Sequence, residues 1–496
     1  MKRREFLKTS AAGSGALMVP SLLRAATGLK SKPNILFIMT DQQHDRMMSC
    51  ADNKWLKTPH LDGLAAEGIR FEKAYSANPV CVPSRMSMAT GMMPGRFGAG
   101  DNGTGMKATL PQHIDENSMG KIMKRAGYDT FYGGKVHMCG QLKPTEAGYD
   151  KYFRNERDQL PGACLEFIKQ KRDKPFFAVA SFINPHDICY AHKEHIGKGS
   201  RARVKDLYQE AMAMPLDKLP PLPDNYGIQE GEPSGIQAKL STRATTPSLT
   251  MRNEYDEKAW RINRYIYHRL TERVDGEIGK ILDGLKQAGL DDNTLIIFTS
   301  DHGNMDASHR LPSKSFPYEE SVGIPFIMKY KGHIPAGQVD DEHLVSSGLD
   351  ILPTICDYAG VEIPEHLIGK SLRPVAEGKP VTDWREYVVS EDAKWRMLRS
   401  EKYKYTTFSD PTSKESLVDL KKDPGEMRNL VDHPEYKKIL QDHRKLLAEW
   451  SESTGDTEAF KFARNDDGSS NYTPPPEEAS VKKAKPKRKD SKRKDR

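Results

Sequence analysis

Ile35-Leu36-Phe37-Ile38-Met39, followed at once by Thr40-Asp41-Gln42, decides the fold. So short an unbroken apolar run lacks the alternation of a strand with one wet face. It fits a strand buried on both faces, as in a parallel sheet covered by helices. Phe176-Phe177-Ala178-Val179-Ala180, Leu295-Ile296-Ile297-Phe298 and Pro325-Phe326-Ile327-Met328 have the same texture, so four buried parallel strands are expected. Ile266, Leu270, Val274, Ile278, Ile281, Leu282 and Leu285 recur at three- and four-residue steps, the spacing of one helical face. Gly289 stops that helix just before the next strand. Strands alternating with helices imply an α/β fold: a large mixed, mostly parallel sheet sandwiched by helices.

In such sheets ligands collect just beyond the carboxyl ends of the strands. Polar residues stand there in three separate places. Asp41 and Gln42 follow the first run, His186 follows the second within Asn184-Pro185-His186-Asp187, and Asp301 and His302 follow the third within Ser300-Asp301-His302-Gly303. One pocket could gather all of them. Beyond Pro364 the texture changes. Trp395 to Thr407 alternates apolar and charged residues, as antiparallel strands do, and a helix rich in Lys, Leu and Glu follows to about Trp450. The expected organisation is an α/β domain over residues 28–375 and a smaller C-terminal α+β subdomain over 376–464, an antiparallel sheet plus a helix. Residues 200–250, rich in Pro, Gly and Ser, are expected as a long surface excursion. Residues 465–496 are expected as a disordered basic tail.

The chain of 496 residues, 37% hydrophobic and 29% charged, has the balance of a soluble globular body. Its formal charge of +7 sits in the tail: residues 481–496 hold ten Lys/Arg against two Asp, and the remainder is close to neutral. Such a body is not a nucleic-acid binder, and no nucleic acid partner is expected. Arg3-Arg4-Glu5-Phe6-Leu7-Lys8 precedes a short apolar run from Ala11 to Leu23 and small residues at Ala25-Ala26-Thr27. Residues 1–27 therefore read as an export signal, too short to span a bilayer. The paired arginines resemble a twin-arginine signal, which implies the twin-arginine export machinery and a periplasmic or extracellular location in a bacterium. Six cysteines with no CxxC pair make neither a disulfide scaffold nor a thiolate zinc site. Five of them read as buried small residues or at most one disulfide. Cys81 is different.

Cys81-Val82-Pro83-Ser84-Arg85 runs on into Met86-Ser87-Met88-Ala89-Thr90-Gly91. This resembles the signature of type I, formylglycine-dependent sulfatases of the alkaline-phosphatase superfamily, Cys-x-Pro-Ser-Arg with a Thr-Gly extension. The resemblance implies that a formylglycine-generating maturation enzyme oxidises Cys81 to the aldehyde 3-oxoalanine. It also implies the reaction: one hydroxyl of the hydrated aldehyde attacks sulfur and displaces the alcohol, and the other loses its proton so that sulfate is eliminated. A helix beginning near Pro83 would aim backbone N–H groups at the anion.

By the same resemblance Asp41 and Gln42 are the first pair of metal ligands and Asp301 and His302 the second. Such an oxygen-rich set suits a hard cation, one Ca²⁺. Gln42 stands where many sulfatases have a second Asp, which leaves the site one negative charge short. Gly133-Gly134-Lys135-Val136-His137 resembles the family's Gly-Lys-x-His element. Lys135 would grip a sulfate oxygen, and His137 would hydrogen-bond the formylglycine hydroxyl and help sulfate leave. His186 resembles the histidine that protonates the departing alcohol. Lys314, ahead of Pro317-Tyr318-Glu319-Glu320, resembles the second sulfate-binding lysine, and Arg85 would orient the formylglycine. Met397-Leu398-Arg399, Tyr403-Lys404-Tyr405 and Asp423-Pro424-Gly425-Glu426 look like the family's C-terminal subdomain, so the resemblance covers roughly residues 32–450.

The implied function is that of a sulfuric ester hydrolase, a sulfatase. Its expected substrate is a sulfate ester on a sulfated glycan, since exported sulfatases commonly serve glycan breakdown. Two other readings stay open. One is a phosphonate or phosphate diester hydrolase of the same superfamily; the other is an inactive homologue that only binds sulfated glycans. His192 and His195, just past His186, are either substrate-subsite residues or ordinary surface histidines. The basic tail could hold the enzyme near a polyanionic glycan by charge alone.

Overall fold

The computed structural model describes residues 32–199, 203–242 and 248–473. The export signal of residues 1–27 and most of the basic tail lie outside the described residues. Eight strands form the central sheet: β1 (Asn34–Asp41), β2 (Ile69–Phe71), β3 (Asp129–Gly134), β4 (Lys151–Phe153), β5 (Phe176–Pro185), β6 (Thr294–Ser300), β7 (Phe326–Lys329) and β8 (Gln338–Asp340). Their order across the sheet is β4-β3-β5-β1-β6-β7-β2-β8. Strand β1 lies between β5 and β6, parallel to both, and all of its residues are buried.

Helices cover the sheet on both faces, chief among them α1 (Cys81–Thr90), α2 (Leu160–Ile168), α3 (Glu257–Gln287) and α4 (Ser347–Ala359). Side chains alternate across a strand, and so do the two cores. Ile35, Phe37 and Met39 pack with Val82 and Met86 of α1 and Ile351 and Ile355 of α4. Leu36 and Ile38 pack on the other face with Cys164 of α2 and Val274, Ile278 and Ile281 of α3. Helix α3 starts where the Asp256 carboxylate accepts the Ala259 N–H at 2.8 Å, and it stops before Gly289, whose φ of +66° favours glycine. All seven apolar positions expected on its inner face are buried.

One strand runs the other way. The Pro325–Met328 run was expected parallel, but β7 pairs antiparallel with β6, with Ile297 opposite Met328. An apolar run reports burial on both faces and carries no direction. The connection from Asp301 to Pro325 stays at the carboxyl edge of the sheet, so the next strand has to return. Residues 200–250 also differ from expectation. They contain helices Lys205–Ala213 and Ser234–Thr242, and Leu207, Ala211, Leu219, Ile236 and Leu240 are buried. Their apolar positions are too sparse to stand out among the turn residues between them.

The C-terminal sheet is antiparallel, in the order β9 (Tyr387–Asp392), β10 (Trp395–Ser400), β11 (Tyr403–Phe408) and β12 (Ser416–Asp419). Helix α5 (Lys437–Thr454) lays Leu440 and Leu447 on Leu398, Tyr405 and Leu417 of that sheet. All six thiols are free. Cys139, Cys164 and Cys356 are buried as expected, while Cys50 is half-buried and Cys189 is exposed.

Candidate active site

Register brings the polar strand ends together. Thr40 pairs with Ser300, Asp41 with Pro185, and Gly134 with Ser181. Asp41, Lys135, His186 and Asp301 therefore leave the sheet at one edge. Cys81 comes to the same place as the first residue of α1, two residues earlier than a start at Pro83. It is 1% exposed. Its Sγ lies 3.0 Å from Lys314 Nζ, 3.3 Å from His302 Nε2, 3.6 Å from Lys135 Nζ and 3.8 Å from Asp41 Oδ1. Were Cys81 converted to formylglycine, a hydroxyl oxygen would take the place of this sulfur on Cβ. Burial and Asp41 push the thiol pKa up, but Lys135, Lys314 and His302 outweigh both and hold it well below the usual thiol value. Negative charge is favoured at this point. The expected fan of N–H groups is narrow, however: Val82 N–H is bonded to Asn102 Oδ1 at 2.9 Å, and Pro83 has none.

Arg85, fully buried on α1, organises the carboxylates. Its Nε is 2.8 Å from Asp301 Oδ2 and its Nη2 is 3.0 Å from Asp41 Oδ2. Nη1 donates to Ser181 Oγ at 2.7 Å and to the Lys135 carbonyl at 3.0 Å. Among the described residues no hydrogen bond joins Arg85 to Cys81, so it acts on that residue through the carboxylates. Because the guanidinium takes the outer oxygen of each, Oδ1 of Asp41 and Oδ1 of Asp301 are left for one common point. His302 Nε2 is 3.4 Å from the second and 4.0 Å from the first. Together with Cys81 Sγ these atoms lie within 4.8 Å of one another. His302 Nδ1 stands 3.0 Å from the Gly303 carbonyl, which only accepts, so Nδ1 carries the proton and Nε2 offers a lone pair. Two carboxylate oxygens and an imidazole lone pair around one point fit a divalent cation.

The charges follow from burial and neighbours. Burial would raise Asp41, yet Lys135, His186, Lys314 and Arg85 hold it well below the usual carboxylate range. Burial, then the Asp41 charge, push Asp301 up to about 6. Gln42 reaches the same group: its N–H donates to Asp301 Oδ1 at 3.1 Å, and its Nε2 donates to Asn304 Oδ1 at 3.0 Å. The Cys189 thiol donates to Gln42 Oε1 at 3.4 Å, and Tyr267 OH donates to the Gln42 carbonyl at 2.6 Å.

His186 is half-buried at the end of β5, and burial followed by Lys314 lowers its pKa to about 3, so its ring is neutral. His137 sits at φ +44°, with Nδ1 buried and, among the described residues, without a hydrogen-bond partner. His192 and His195 belong elsewhere: His192 Nδ1 is 2.9 Å from Tyr255 OH, and the His195 ring centre is 4.4 Å from that of Tyr255. They pack on tyrosines. Four positioning residues escaped the sequence reading: Ser181, Asn304, Cys189 and Tyr267. Asn304 had a signal, lying two positions past His302, and Ser181 is the polar residue that interrupts the apolar run of β5.

The geometry has the form of an anion-binding site beside a cation site, and comparison with known proteins identifies the family. The Sulfatase family profile matches residues 33–361, and that of the N-sulphoglucosamine sulphohydrolase C-terminal family matches 307–453. The chain belongs to the sulfatase family of the alkaline-phosphatase superfamily and is a hydrolase of sulfate esters. It is 29% identical to a Delta 4,5-hexuronate-2-O-sulfatase of Bacteroides thetaiotaomicron, over 92% of this chain and 96% of that one. An N-acetylglucosamine-6-O-sulfatase of the same organism is 28% identical over 84% and 86%. A solved structure of a 2-O GAG sulfatase superposes with a TM-score of 0.73 at 28% identity, covering 90% of this chain and 97% of that one.

Proposed function

We propose that this sulfatase uses a formylglycine made from Cys81 and one Ca²⁺, and that it acts on sulfated carbohydrate after export through the twin-arginine pathway. The observation that carries the reading is the convergence of Lys314, Lys135 and His302 on the single atom Cys81 Sγ. A hydrated formylglycine supplies an attacking oxygen, and Ca²⁺ held by Asp41, Gln42, Asp301 and His302 supplies positive charge beside it. The chain's own side chains do the rest. Lys135 and Lys314 donate N–H groups to the sulfate oxygens and oppose the charge that develops on them. Arg85 keeps the two carboxylates apart and aligned. Among the described residues the His186 ring makes no hydrogen bond, and it is neutral until substrate arrives; the charge of a bound sulfate raises its proton affinity and suits it to protonate the leaving oxygen. His137, whose Nδ1 has no hydrogen-bond partner among the described residues, is assigned to the hydroxyl at residue 81 by its place in the Gly-Lys-x-His element.

Two relatives named for sulfated sugars support the carbohydrate reading. Residues 1–27 support export. The test is the mass of the peptide containing residue 81, taken from protein made in a host with the maturation enzyme. The aldehyde is expected there, and an active enzyme carrying only the thiol would overturn the mechanism. Defined sulfated mono- and disaccharides, assayed beside phosphonate esters, test the substrate. A higher kcat/KM on the phosphonates would move the chain to the other hydrolase class.

A further inference from the structure

A second cleft opens at the far edge of the central sheet. It has a volume of about 960 Å³ and surrounds the amino ends of β1, β5 and β6, bordered by Asn34, Phe176 and Asn293. The active site lies beyond the carboxyl ends of the same strands. With eight residues in β1 the two are roughly 25 Å apart.

The lining charge is one-sided. Lys32, Lys169, Lys171, Arg172 and Lys174 share the lining with one acid, Asp173, and Arg172 also stands 3.9 Å from Asp129 Oδ2. The chain outside its tail is close to neutral, so this is local concentration rather than a general excess. Among the described residues Lys169, Lys171 and Lys174 enter no ion pair, and Lys32 Nζ donates only to the Ala126 carbonyl at 3.2 Å. Arg172 turns inward instead, 4.4 Å over the Phe167 ring and 5.4 Å from that of Phe176, and it donates to the Phe167 carbonyl. It pins the loop that carries the lysines. Four ammonium groups gathered around one carboxylate raise the local potential, and a polyanion lowers it. Gln170 and Gln287 add amides suited to sugar hydroxyls. A single-stranded nucleic acid would want exposed aromatic faces for its bases. The one aromatic residue of the lining, Phe176, is 1% exposed.

We propose that this cleft is a second, non-catalytic binding site for a sulfated polysaccharide, which keeps the enzyme on the polymer while the opposite edge removes sulfate. The choice of polymer rests on the substrate class proposed above, but the binding can be measured without turnover. Lysines of the full-length protein are acetylated at low salt in the presence of dextran sulfate, neutral dextran or DNA, and each site is read by mass spectrometry. Dextran sulfate is expected to slow labelling of Lys169, Lys171 and Lys174 about fivefold or more. Neutral dextran should leave it unchanged, and Lys438 and Lys445 on α5, 81% and 77% exposed, should label freely throughout. Tail lysines are read separately in the same spectrum. Equal labelling with and without dextran sulfate overturns the site, and stronger protection by DNA overturns the choice of ligand. In a second arm the triple variant K169A/K171A/K174A keeps kcat/KM on nitrophenyl sulfate and loses about fivefold on polymer as a rise in KM. Unchanged polymer kinetics with that variant would overturn the proposal. Failure of both enzymes on every sulfate ester would instead count against the proposed function, with the labelling result standing alone.

Discussion

Arg85 sets the charge balance of the site. One planar guanidinium spans two carboxylates, a serine hydroxyl and a carbonyl, and a lysine ammonium cannot take that fork geometry. Arg85→Lys should leave one carboxylate buried without its partner, at a cost of about 3 kcal/mol or more. Thermal unfolding and sulfate release measured on the same sample check this: both should fall, and an unchanged Tm would show that the carboxylates are satisfied by other groups. His186 makes a different prediction. A sugar alkoxide leaves poorly without a proton, whereas nitrophenolate leaves readily. His186→Ala should therefore lose about 10² to 10⁴ in kcat/KM on a sulfated sugar and much less on nitrophenyl sulfate. Equal losses on both would remove His186 from the role of acid.

Helix α3 shows what an element hides behind its pattern. Seven apolar positions announce it, but its inner face also buries His268. Nδ1 is 2.6 Å from the Arg264 carbonyl, an acceptor, and Nε2 is 3.2 Å from the Asn53 amide, a donor, so both ring nitrogens are satisfied only in the neutral form. Burial brings the pKa down to about 4 from 6.5. Between those two values the unfolded chain binds a proton that the folded chain does not. The stability is therefore present above pH 6.5 and is lost as pH falls towards 4, by about 3 kcal/mol at most. His268→Gln keeps a donor and an acceptor but does not titrate. Denaturant unfolding at pH 7.5 and pH 4.5 should show the wild type losing about 2 kcal/mol relative to the variant. A constant difference between the two proteins would refute the linkage. β7 gives the complementary lesson at this scale: its apolar run announced a buried strand and was silent about direction.

For the whole molecule, the question is why a hydrolytic site in the large sheet needs the small one. The loop bearing Lys314 is strained: Asp306, Ala307, His309, Arg310, Ser313 and Ser315 all have positive φ. Each such residue costs about 1 kcal/mol or more, so something must pin the loop. The C-terminal sheet does so. Trp395 Nε1 donates to the Ser315 carbonyl at 3.1 Å, and Ser315 Oγ donates to Asp392 Oδ2 at 3.0 Å. Trp395→Phe should lose one hydrogen bond and part of the packing and free Lys314, lowering kcat/KM about tenfold through misplacement of the sulfate. Steady-state kinetics together with Tm decide the point, because a role in stability alone would lower Tm and leave kcat/KM untouched.

Much of this was legible in the chain itself. Continuous apolar runs mark strands buried on both faces because burial is a local demand on each residue. The polar residues after three runs marked the strand ends, since those positions follow from period and punctuation, and Cys81 to Gly91 stood out through its family resemblance. Tertiary structure alone decided the rest. The direction of β7 depends on where a long connection ends, and the joining of Asp41 to Asp301 through Arg85 depends on the register of three strands. Ser181, Asn304 and Cys189 act on groups far from them in sequence. Lys169, Lys171 and Lys174 share a cleft with Lys32 only once the sheet is assembled. Patterns along a chain record what each residue buries, whereas a site is made by distances between residues that no local pattern records.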